Sequence, residues 1–305
     1  MHDPKGGGPL QERERADDSC SIVMRSPGRL YTECIVLVGA WIGAGFLFRL
    51  GPNAYLALGL PLIVIFQLLV ARRPLRQLWA RDSESWRLDR FCRAWTVALM
   101  LTPACFLLGV AVPRRLWMLA PSLVCSIAGA FPAAFALRQQ RKGAIRQALP
   151  SFIAAAAVGS TLCALLALAQ GRSIGVISTR LPLLFGQFLI MFPLGFTVEE
   201  VVFRGALDTH VTQGPNSPAR KWGSAIFVSI LWGLWHLPET SIVWSSLHLP
   251  DVSSGQRLGL AAAGFVVIGI LVGVPLSFCW RKSRTLVLPA AAHALMDAFR
   301  NSLLF

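Results

Sequence analysis

The hydrophobic residues of this chain lie in long runs, and the polar residues gather between the runs and in a tail at the start. Nine apolar runs can be delimited, at residues 31–48, 54–71, 94–112, 116–137, 149–170, 181–203, 222–237, 258–278 and 285–301. Within a run, the apolar residues follow neither the alternation of a half-buried strand nor the spacing of a helix with one apolar face. Because a helix needs about 20 apolar residues to cross the hydrocarbon layer, the runs predict an all-α, polytopic transmembrane helix bundle of eight or nine spans.

Composition and charge support this class of protein. Hydrophobic residues make up 54% of the 305 residues and charged residues only 14%, whereas soluble chains have about 25% charged residues. The net charge of +14 does not indicate a nucleic-acid partner, because the basic residues form short clusters between apolar runs and no separate basic domain. We therefore expect the lipid bilayer, and no nucleic acid, as the surroundings of this chain.

The distribution of basic residues predicts the orientation. With the amino terminus in the cytoplasm, 22 of the 29 Lys and Arg residues fall in cytoplasmic connections and 7 on the other side, as the positive-inside rule requires. We expect a multi-pass integral membrane protein with a cytoplasmic amino terminus, in the bacterial plasma membrane. Residues 1–30 are expected to be a disordered cytoplasmic tail. The loop 72–93, with seven arginines and two tryptophans, is expected to form a helix at the membrane interface.

The sixth run contains charged residues that an apolar helix does not need. A charged side chain at mid-bilayer costs about 2.5–3.5 kcal/mol, which makes Glu199, Glu200 and Arg204 informative. Glu200 and Arg204 are four residues apart on one helix face and can form an ion pair. Glu199 projects about 100° away from Glu200, so its carboxylate is left available as a general base or acid. The alternative is a helix end at the cytoplasmic interface, where these charges face water.

Two later runs each place a histidine four residues from another informative side chain. Trp232 and His236 share one helix face, and so do His293 and Asp297. Each histidine taken alone could be a packed core residue. Together with Glu199, however, they form a constellation in which Glu199 and His236 can activate a water, and His293 and Asp297 can stabilise an oxyanion. An orienting role for Asp297 is equally consistent with the spacing.

These three motifs, in this order, resemble those of the CAAX protease and bacteriocin-processing family. The motifs are Glu-Glu-x-x-x-Arg at 199–204, an aromatic-x-x-x-His at 232–236 and His-x-x-x-Asp at 293–297. The family is also called the abortive-infection family, and it includes the type II CAAX prenyl endopeptidases. The resemblance covers roughly residues 150–305. It implies a glutamate-type intramembrane protease with a buried catalytic cavity in the carboxyl-terminal half.

The resemblance also implies roles for individual residues. Glu199 matches the water-activating glutamate and His236 its partner. His293 and Asp297 match the pair that stabilises the transition state. The reaction implied is the hydrolysis of a peptide bond in a membrane-anchored or lipidated protein or peptide.

Three further residues match supporting positions of the family. Glu200 and Arg204 match its supporting ion pair, and Trp232 stands where Phe is usual. The family assignment divides the chain into the tail 1–30, an amino-terminal transmembrane extension of about four spans at 31–148 and an intramembrane protease domain at 149–305. For Glu199 to reach His236, we expect the sixth helix to begin near Gly186 and to run past Arg204 to about Thr212.

Alternatives stay open at this point. Glu199, His236 and His293 form a plausible zinc ligand set with one open position, although metal-independent water activation is preferred and no cofactor is expected. A bacteriocin-immunity or scaffold protein of the same fold would bind a partner without using Glu199 chemically. A proton-coupled transporter also keeps ionisable residues inside the membrane, but here they concentrate in the last third of the chain.

Overall fold

Helices are the main secondary structure in the part of the protein that the computed structural model describes. That part comprises residues 26–86, 88–110, 116–169, 171, 181–213, 217–238 and 253–304. Its α-helices are α1 (Pro27–Leu47), α2 (Pro52–Ile65), α3 (Arg90–Val110), α4 (Leu116–Gln139), α5 (Lys142–Ala169), α6 (Leu181–Leu194), α7 (Thr209–Val211), α8 (Pro218–Trp235), α9 (Ser254–Ser283) and α10 (Val287–Leu304). Over these residues no strand occurs, so the all-α prediction is confirmed.

Four helices are long and apolar enough to cross a membrane, judged by length and composition. They are Pro27–Leu47, Pro52–Val70, Lys142–Ala169 and Gly255–Ser283. Two shorter apolar helices, Leu123–Gln139 and Leu183–Leu194, accompany them. The chain is therefore an integral membrane protein. A count of eight or nine spans stays a prediction, as do the side of the amino terminus and the identity of the membrane.

The predicted subdivision of the chain meets the helices at two places. Helix α1 begins at Pro27, because proline is well suited to the first turn of a helix, so the predicted tail 1–30 extends a few residues too far. Residues 1–25 lie outside the described residues. The predicted boundary between 148 and 149 falls inside α5, and the division into an extension and a protease domain stays a prediction.

The sixth predicted segment differs from the expected continuous helix. Helix α6 begins at Leu181, not near Gly186, and ends at Leu194. Pro193 cannot donate a backbone hydrogen bond, and the chain turns through residues 195–198 before it becomes helical again at Glu199. The second half then runs through a π-helical stretch, Val201–Asp208, into α7. The predicted end near Thr212 agrees with this structure, whereas the predicted start and continuity are wrong.

The helical stretch 201–211 lies in the centre of the protein. Every one of its residues is buried, and its charged side chains are paired. Asp208 accepts two hydrogen bonds from Arg281, at 2.8 and 2.5 Å, and the His210 ring lies 2.7 Å from Glu33. Because a charge in a water-poor interior is tolerated only when it is paired, these contacts fix the central helix against its neighbours.

The long helices pack around this centre so that α8 and α10 approach it. Helix α8 packs on α9, α9 on α5, and α10 on both α5 and α6. The crossing of α8 and α9 is close because it uses small residues, as membrane helices commonly do. A Cβ atom at Gly233 would lie 2.3 Å from the carbonyl oxygen of Phe265. This close approach places the end of α8 directly beside α9.

The loop between α2 and α3 was expected to be an interfacial helix, and this prediction is wrong. Among its described residues only a short 3-10 turn forms, at Leu75–Leu78. The loop instead packs onto the protein, where the Trp79 indole donates to the carbonyl oxygen of Phe196 at 2.7 Å. Ala80 also forms an isolated antiparallel bridge with Thr285, just before α10. These two contacts hold the loop against the protein in place of a helix.

Candidate active site

The residues singled out in the sequence come together between three elements. Glu199 and Glu200 open the helical stretch that follows the turn at 195–198. His236 caps the carboxyl end of α8, and α10 carries both His293 and Asp297. The break after α6 allows Glu199 to begin a new helix at the level that His236 reaches. The site therefore depends on a turn that periodicity alone did not predict.

The carboxylate of Glu199 lies between two imidazoles. Its Oε2 atom is 3.8 Å from Nε2 of His236 and 3.8 Å from Nε2 of His293. The same oxygen accepts a hydrogen bond of 3.0 Å from the Trp232 indole. Hydrogen bonds to an ionised acceptor are stronger than neutral ones, so the indole holds the carboxylate in place between the two rings.

The ring of His236 is fixed by its own helix and by α9. Its Nδ1 atom lies 2.9 Å from the carbonyl oxygen of Trp232, which can only accept, so Nδ1 carries a proton. In the neutral ring, Nε2 is then an acceptor, and it points towards Glu199. Phe265 stacks on the imidazole with the ring planes 11° apart. Two acceptors, one from His236 and one from Glu199, thus face each other across 3.8 Å.

Glu200 forms a buried bridge behind the site. Its Oε1 atom lies 2.8 Å from Nδ1 of His293, and its Oε2 atom lies 3.6 Å from Nε of Arg204. The side chains of Glu200 and Arg204 are both 0% exposed. The Arg204 guanidinium also stacks 4.7 Å from the centre of the Trp232 ring, a cation–π contact. The two adjacent glutamates therefore occupy different surroundings.

Asp297 lies between His293 and a residue that the sequence did not single out. Its Oδ2 atom is 3.6 Å from Nε2 of His293, and its Oδ1 atom is 3.2 Å from Nη1 of Arg300. The guanidinium can only donate, so Asp297 acts here as an acceptor. The contact favours the orienting role that the spacing left open for Asp297.

Exposure differs sharply across the site. The side chains of Glu199 and His236 are 19% and 26% exposed, whereas Glu200 and Arg204 are fully buried. Glu199 is thus partly accessible without lying at an open surface. The buried catalytic cavity expected from the family resemblance stays a prediction.

A metal site can be considered at the same residues. Among the residues that the structure describes, no group of three or more His, Cys, Asp or Glu side chains is arranged to hold a metal ion. Zinc binds nitrogen and oxygen ligands at about 2.0–2.2 Å, and the residues Glu199, His236 and His293 would be its ligands.

Several contacts of the site were missed by reasoning from the sequence. No hydrogen bond was predicted for the indole of Trp232, although a buried indole N–H usually finds an acceptor and the Glu199 carboxylate can accept one. No pattern in the sequence predicts the contact between Glu200 and His293, because the two residues are 93 positions apart. Arg300 was counted only as a topological charge, although it lies three residues after Asp297 and hence on a neighbouring face.

Comparison with known proteins bears on the family resemblance. Residues 181–299 match the family model described as Type II CAAX prenyl endopeptidase Rce1-like. The matched range contains all three motifs that carried the resemblance, which is thereby confirmed. Comparison with curated proteins and with solved structures gives no match. Over residues 181–299, the chain is similar to the Rce1-like type II CAAX prenyl endopeptidases.

Proposed function

We propose that this protein is an intramembrane endopeptidase that hydrolyses a peptide bond in a membrane-anchored or lipidated protein or peptide. The observation that carries the proposal is the position of the Glu199 carboxylate, 3.8 Å from each of two imidazoles that come from different helices. A pair of acceptors that face each other in this way can hold a water molecule.

Glu199 and His236 bind and activate the attacking water. A water seated about 2.8 Å from each would donate one O–H to the carboxylate and one to Nε2 of the neutral ring. Glu199 takes a proton as the water oxygen attacks the carbonyl carbon of the scissile peptide bond. The carbonyl π-bond opens, and its oxygen becomes the oxyanion of a tetrahedral intermediate.

His293 would stabilise that oxyanion. Because its Nδ1 already donates to Glu200 at 2.8 Å, a second donation from Nε2 requires the imidazolium form. The carboxylates of Glu199, Glu200 and Asp297 surround the ring and balance its charge. Preorganised donors of this kind are worth about 10²–10³ in rate. The positive charge of the imidazolium then stabilises the negative charge of the oxyanion.

Collapse of the intermediate completes the reaction. The carbon–nitrogen bond breaks, and the proton held by Glu199 passes to the leaving nitrogen, which departs as an amine. The other product is a carboxylic acid that contains the oxygen of the water. Water supplies both the new hydroxyl and the proton on the amine, so the reaction balances without a further reactant.

The substrate is proposed to be held in the membrane by a lipid or an apolar anchor. Several helices present apolar surface outward, for example at Leu165, Phe185 and Val267, which are all more than half exposed. Such a surface faces lipid, so an anchored substrate can approach from within the bilayer. A prenylated carboxyl terminus, a sorting tail and a leader peptide share this property.

The test is cleavage of membrane-anchored peptides by the purified protein in proteoliposomes, with Glu199→Gln as the matched variant. This substitution keeps the size and an acceptor oxygen but removes the base. We expect the wild type to cleave and the variant to lose about 10²–10⁴-fold in rate, with wild-type activity retained after a chelator is added. Equal cleavage by both proteins would contradict a catalytic Glu199.

Other outcomes separate the alternative functions. Activity that disappears with chelator and returns with zinc would assign Glu199, His236 and His293 to a metal site. Absence of cleavage across prenylated, single-span and leader-type substrates would favour an immunity or scaffold protein. Proton-dependent uptake that survives His293→Gln would favour a transporter.

A further inference from the structure

The carboxyl end of α8, which carries His236, is held by two helices that precede the range matching the family model. These helices are α1 and α2, here called the amino-terminal hairpin (residues 27–65). The hydroxyl of Tyr55, on α2, donates to the carbonyl oxygen of Trp235 at 2.9 Å. Trp235 is the last residue of α8 and immediately precedes His236. The hairpin thus contacts the backbone directly beside a residue proposed to activate the water.

The carbonyl groups at the end of α8 are bonded by side chains. The last carbonyls of a helix have no N–H of the same helix to accept from. The His236 ring donates through Nδ1 to the carbonyl oxygen of Trp232 at 2.9 Å, and Tyr55 donates to that of Trp235. A buried tyrosine hydroxyl needs a partner, and Tyr55 is 0% exposed. The one hydrogen bond therefore satisfies the hydroxyl and fixes the last carbonyl of α8.

Aromatic packing supports this hydrogen bond. The Tyr55 ring stacks on the Trp235 ring, with the centroids 5.4 Å apart and the planes 26° apart. The ring of Trp41, on α1, lies edge-on to Trp235 at 5.2 Å, and its indole donates to the carbonyl oxygen of Tyr55 at 2.9 Å. All three aromatic residues are buried. Because helices in lipid associate through packing and hydrogen bonds, these contacts fix the amino-terminal hairpin against α8.

The amino-terminal hairpin also packs against the chain that follows His236. A Cβ atom at Gly45, on α1, would lie 2.9 Å from Cβ of Pro238 and 2.7 Å from the ring of Tyr55. Real Cβ atoms do not approach other atoms so closely, so the backbone of α1 lies directly against Pro238. His236 therefore lies between two residues, Trp235 and Pro238, that the hairpin contacts.

From these contacts we propose that Tyr55 is a positioning residue of the peptidase site, and that it acts on His236 through the end of α8. The imidazole must present Nε2 to Glu199, at 3.8 Å, if the two groups are to share a water. A displacement of about 1 Å can lower a rate by about 10²-fold. The inference rests on the proposed function. It makes residues 27–65, which lie outside the matched range 181–299, a working part of the site.

The two tyrosines of the chain provide a matched pair of variants. Tyr55→Phe keeps the ring and removes the hydroxyl. Tyr31→Phe makes the same change in a tyrosine of α1 that contacts α8 through its ring, edge-on to Phe227 at 4.6 Å. In cleavage of an anchored peptide, we expect Tyr55→Phe to lower kcat about three- to tenfold with KM little changed, and Tyr31→Phe to change neither. Equal kcat in the wild type and Tyr55→Phe would overturn the proposal, and so would an equal loss in Tyr31→Phe.

A double-variant cycle separates the positioning of His236 from a general structural role. If Tyr55 acts through His236, removal of its hydroxyl has no further effect once the imidazole has been removed. In single-turnover cleavage we expect Tyr55→Phe to lower the rate of the wild type and to change that of His236→Gln less than twofold. The same fold loss in both backgrounds would overturn the proposal, because it would indicate a loss of structure and not a displaced imidazole.

Hydrogen exchange tests the positioning of α8 without any cleavage. The amide of His236 donates to the carbonyl oxygen of Gly233 at 3.2 Å, so amide exchange in a peptide that covers residues 228–238 reports on the end of α8. We expect this exchange to be about three- to tenfold faster in Tyr55→Phe than in the wild type, and to be unchanged in Tyr31→Phe. Unchanged exchange in Tyr55→Phe would overturn the inference. If the wild type cleaves no peptide but exchange rises in Tyr55→Phe alone, the hold of Tyr55 on α8 stands and the peptidase function fails.

Discussion

Nδ1 of His293 lies 2.8 Å from Oε1 of Glu200, so the imidazole is held by the glutamate that precedes Arg204. The sequence suggested an ion pair between Glu200 and Arg204, and it gave no contact between Glu200 and His293. In the structure Glu200 contacts both residues, because one of its oxygens lies near His293 and the other faces Arg204. Adjacent glutamates are thus divided between an accessible position at Glu199 and a buried structural bridge at Glu200.

This division predicts that the two glutamates differ in their effect on stability. Glu200→Gln leaves the Arg204 charge buried without its partner, and breaking a buried pair costs about 3–5 kcal/mol. We expect a large drop in the thermal unfolding temperature in detergent for Glu200→Gln and little change for Glu199→Gln. Equal unfolding temperatures for the two variants would contradict the structural role of Glu200.

The hydrogen bond from the Trp232 indole predicts a loss of turnover in a variant that keeps the aromatic packing but lacks the indole N–H. Trp232→Phe keeps an aromatic ring but removes the donor that lies 3.0 Å from Glu199. A hydrogen bond to a charged group is worth about 1.5–3 kcal/mol, so turnover is expected to fall about tenfold or more. The neighbouring Trp235 provides the control, because its buried indole nitrogen has no hydrogen-bond partner among the described residues. Similar losses of turnover in Trp232→Phe and Trp235→Phe would show that only packing matters.

The close packing of the 3-10 turn Leu75–Leu78 against Gly205 of the central helix predicts that a larger side chain at Gly205 is destabilising. A Cβ atom there would lie 2.3 Å from the carbonyl oxygen of Leu78, which is backbone and cannot rotate away. Gly205→Ala is expected to destabilise the protein by about 1–3 kcal/mol. Gly223→Ala is the control, since nothing lies within 4 Å of its Cβ position, and it is expected to stabilise α8 by about 0.5–1 kcal/mol. Chemical denaturation of both variants measures their free energies of unfolding. An unchanged free energy of unfolding in Gly205→Ala would contradict the close contact with Leu78.

The hydrogen bond of the Trp79 indole predicts that the same loop supports the turn that precedes Glu199. The indole donates to the carbonyl oxygen of Phe196 at 2.7 Å, three residues before Glu199. Trp79→Phe removes this bond, and we expect kcat to fall several-fold with KM little changed. Trp86→Phe is the matched control, because Trp86 contacts the Trp79 ring and packs on Phe131 and Phe135, and its replacement leaves the hydrogen bond from Trp79 to Phe196 in place. A larger effect of Trp86→Phe on kcat would contradict a specific role for Trp79.

The sequence predicted more of the site than of its surroundings. The three motifs could be read because ionisable groups are costly in a membrane and therefore informative. Four-residue spacing placed Trp232 with His236 and His293 with Asp297 on common faces. Which helices meet could not be predicted, because apolar runs in lipid carry no preference for one partner. The contact between Glu200 and His293 depends on which helices meet, so it could not be predicted either.

The break after α6 illustrates a second limit of the sequence. Hydropathy is high on both sides of Pro193 and Gly195, so residues 181–203 were read as one run. Proline and glycine are tolerated in membrane helices where neighbouring groups satisfy the backbone, and their presence alone does not predict a turn. The π-helical stretch 201–208 likewise has no sequence pattern that hydropathy could reveal. Both features became visible only through their hydrogen bonds.

The most direct test of the account is a comparison of Glu199→Gln, His236→Gln and the double variant in single-turnover cleavage of one anchored peptide. If the two residues activate one water together, they act as a unit, and the effects of removing groups that act as a unit do not add. We expect each single variant to lose about 10²–10⁴-fold in rate and the double variant to lose no more than the worse of the two. Losses that multiply in the double variant, at an unchanged folded fraction, would contradict joint activation of water by Glu199 and His236.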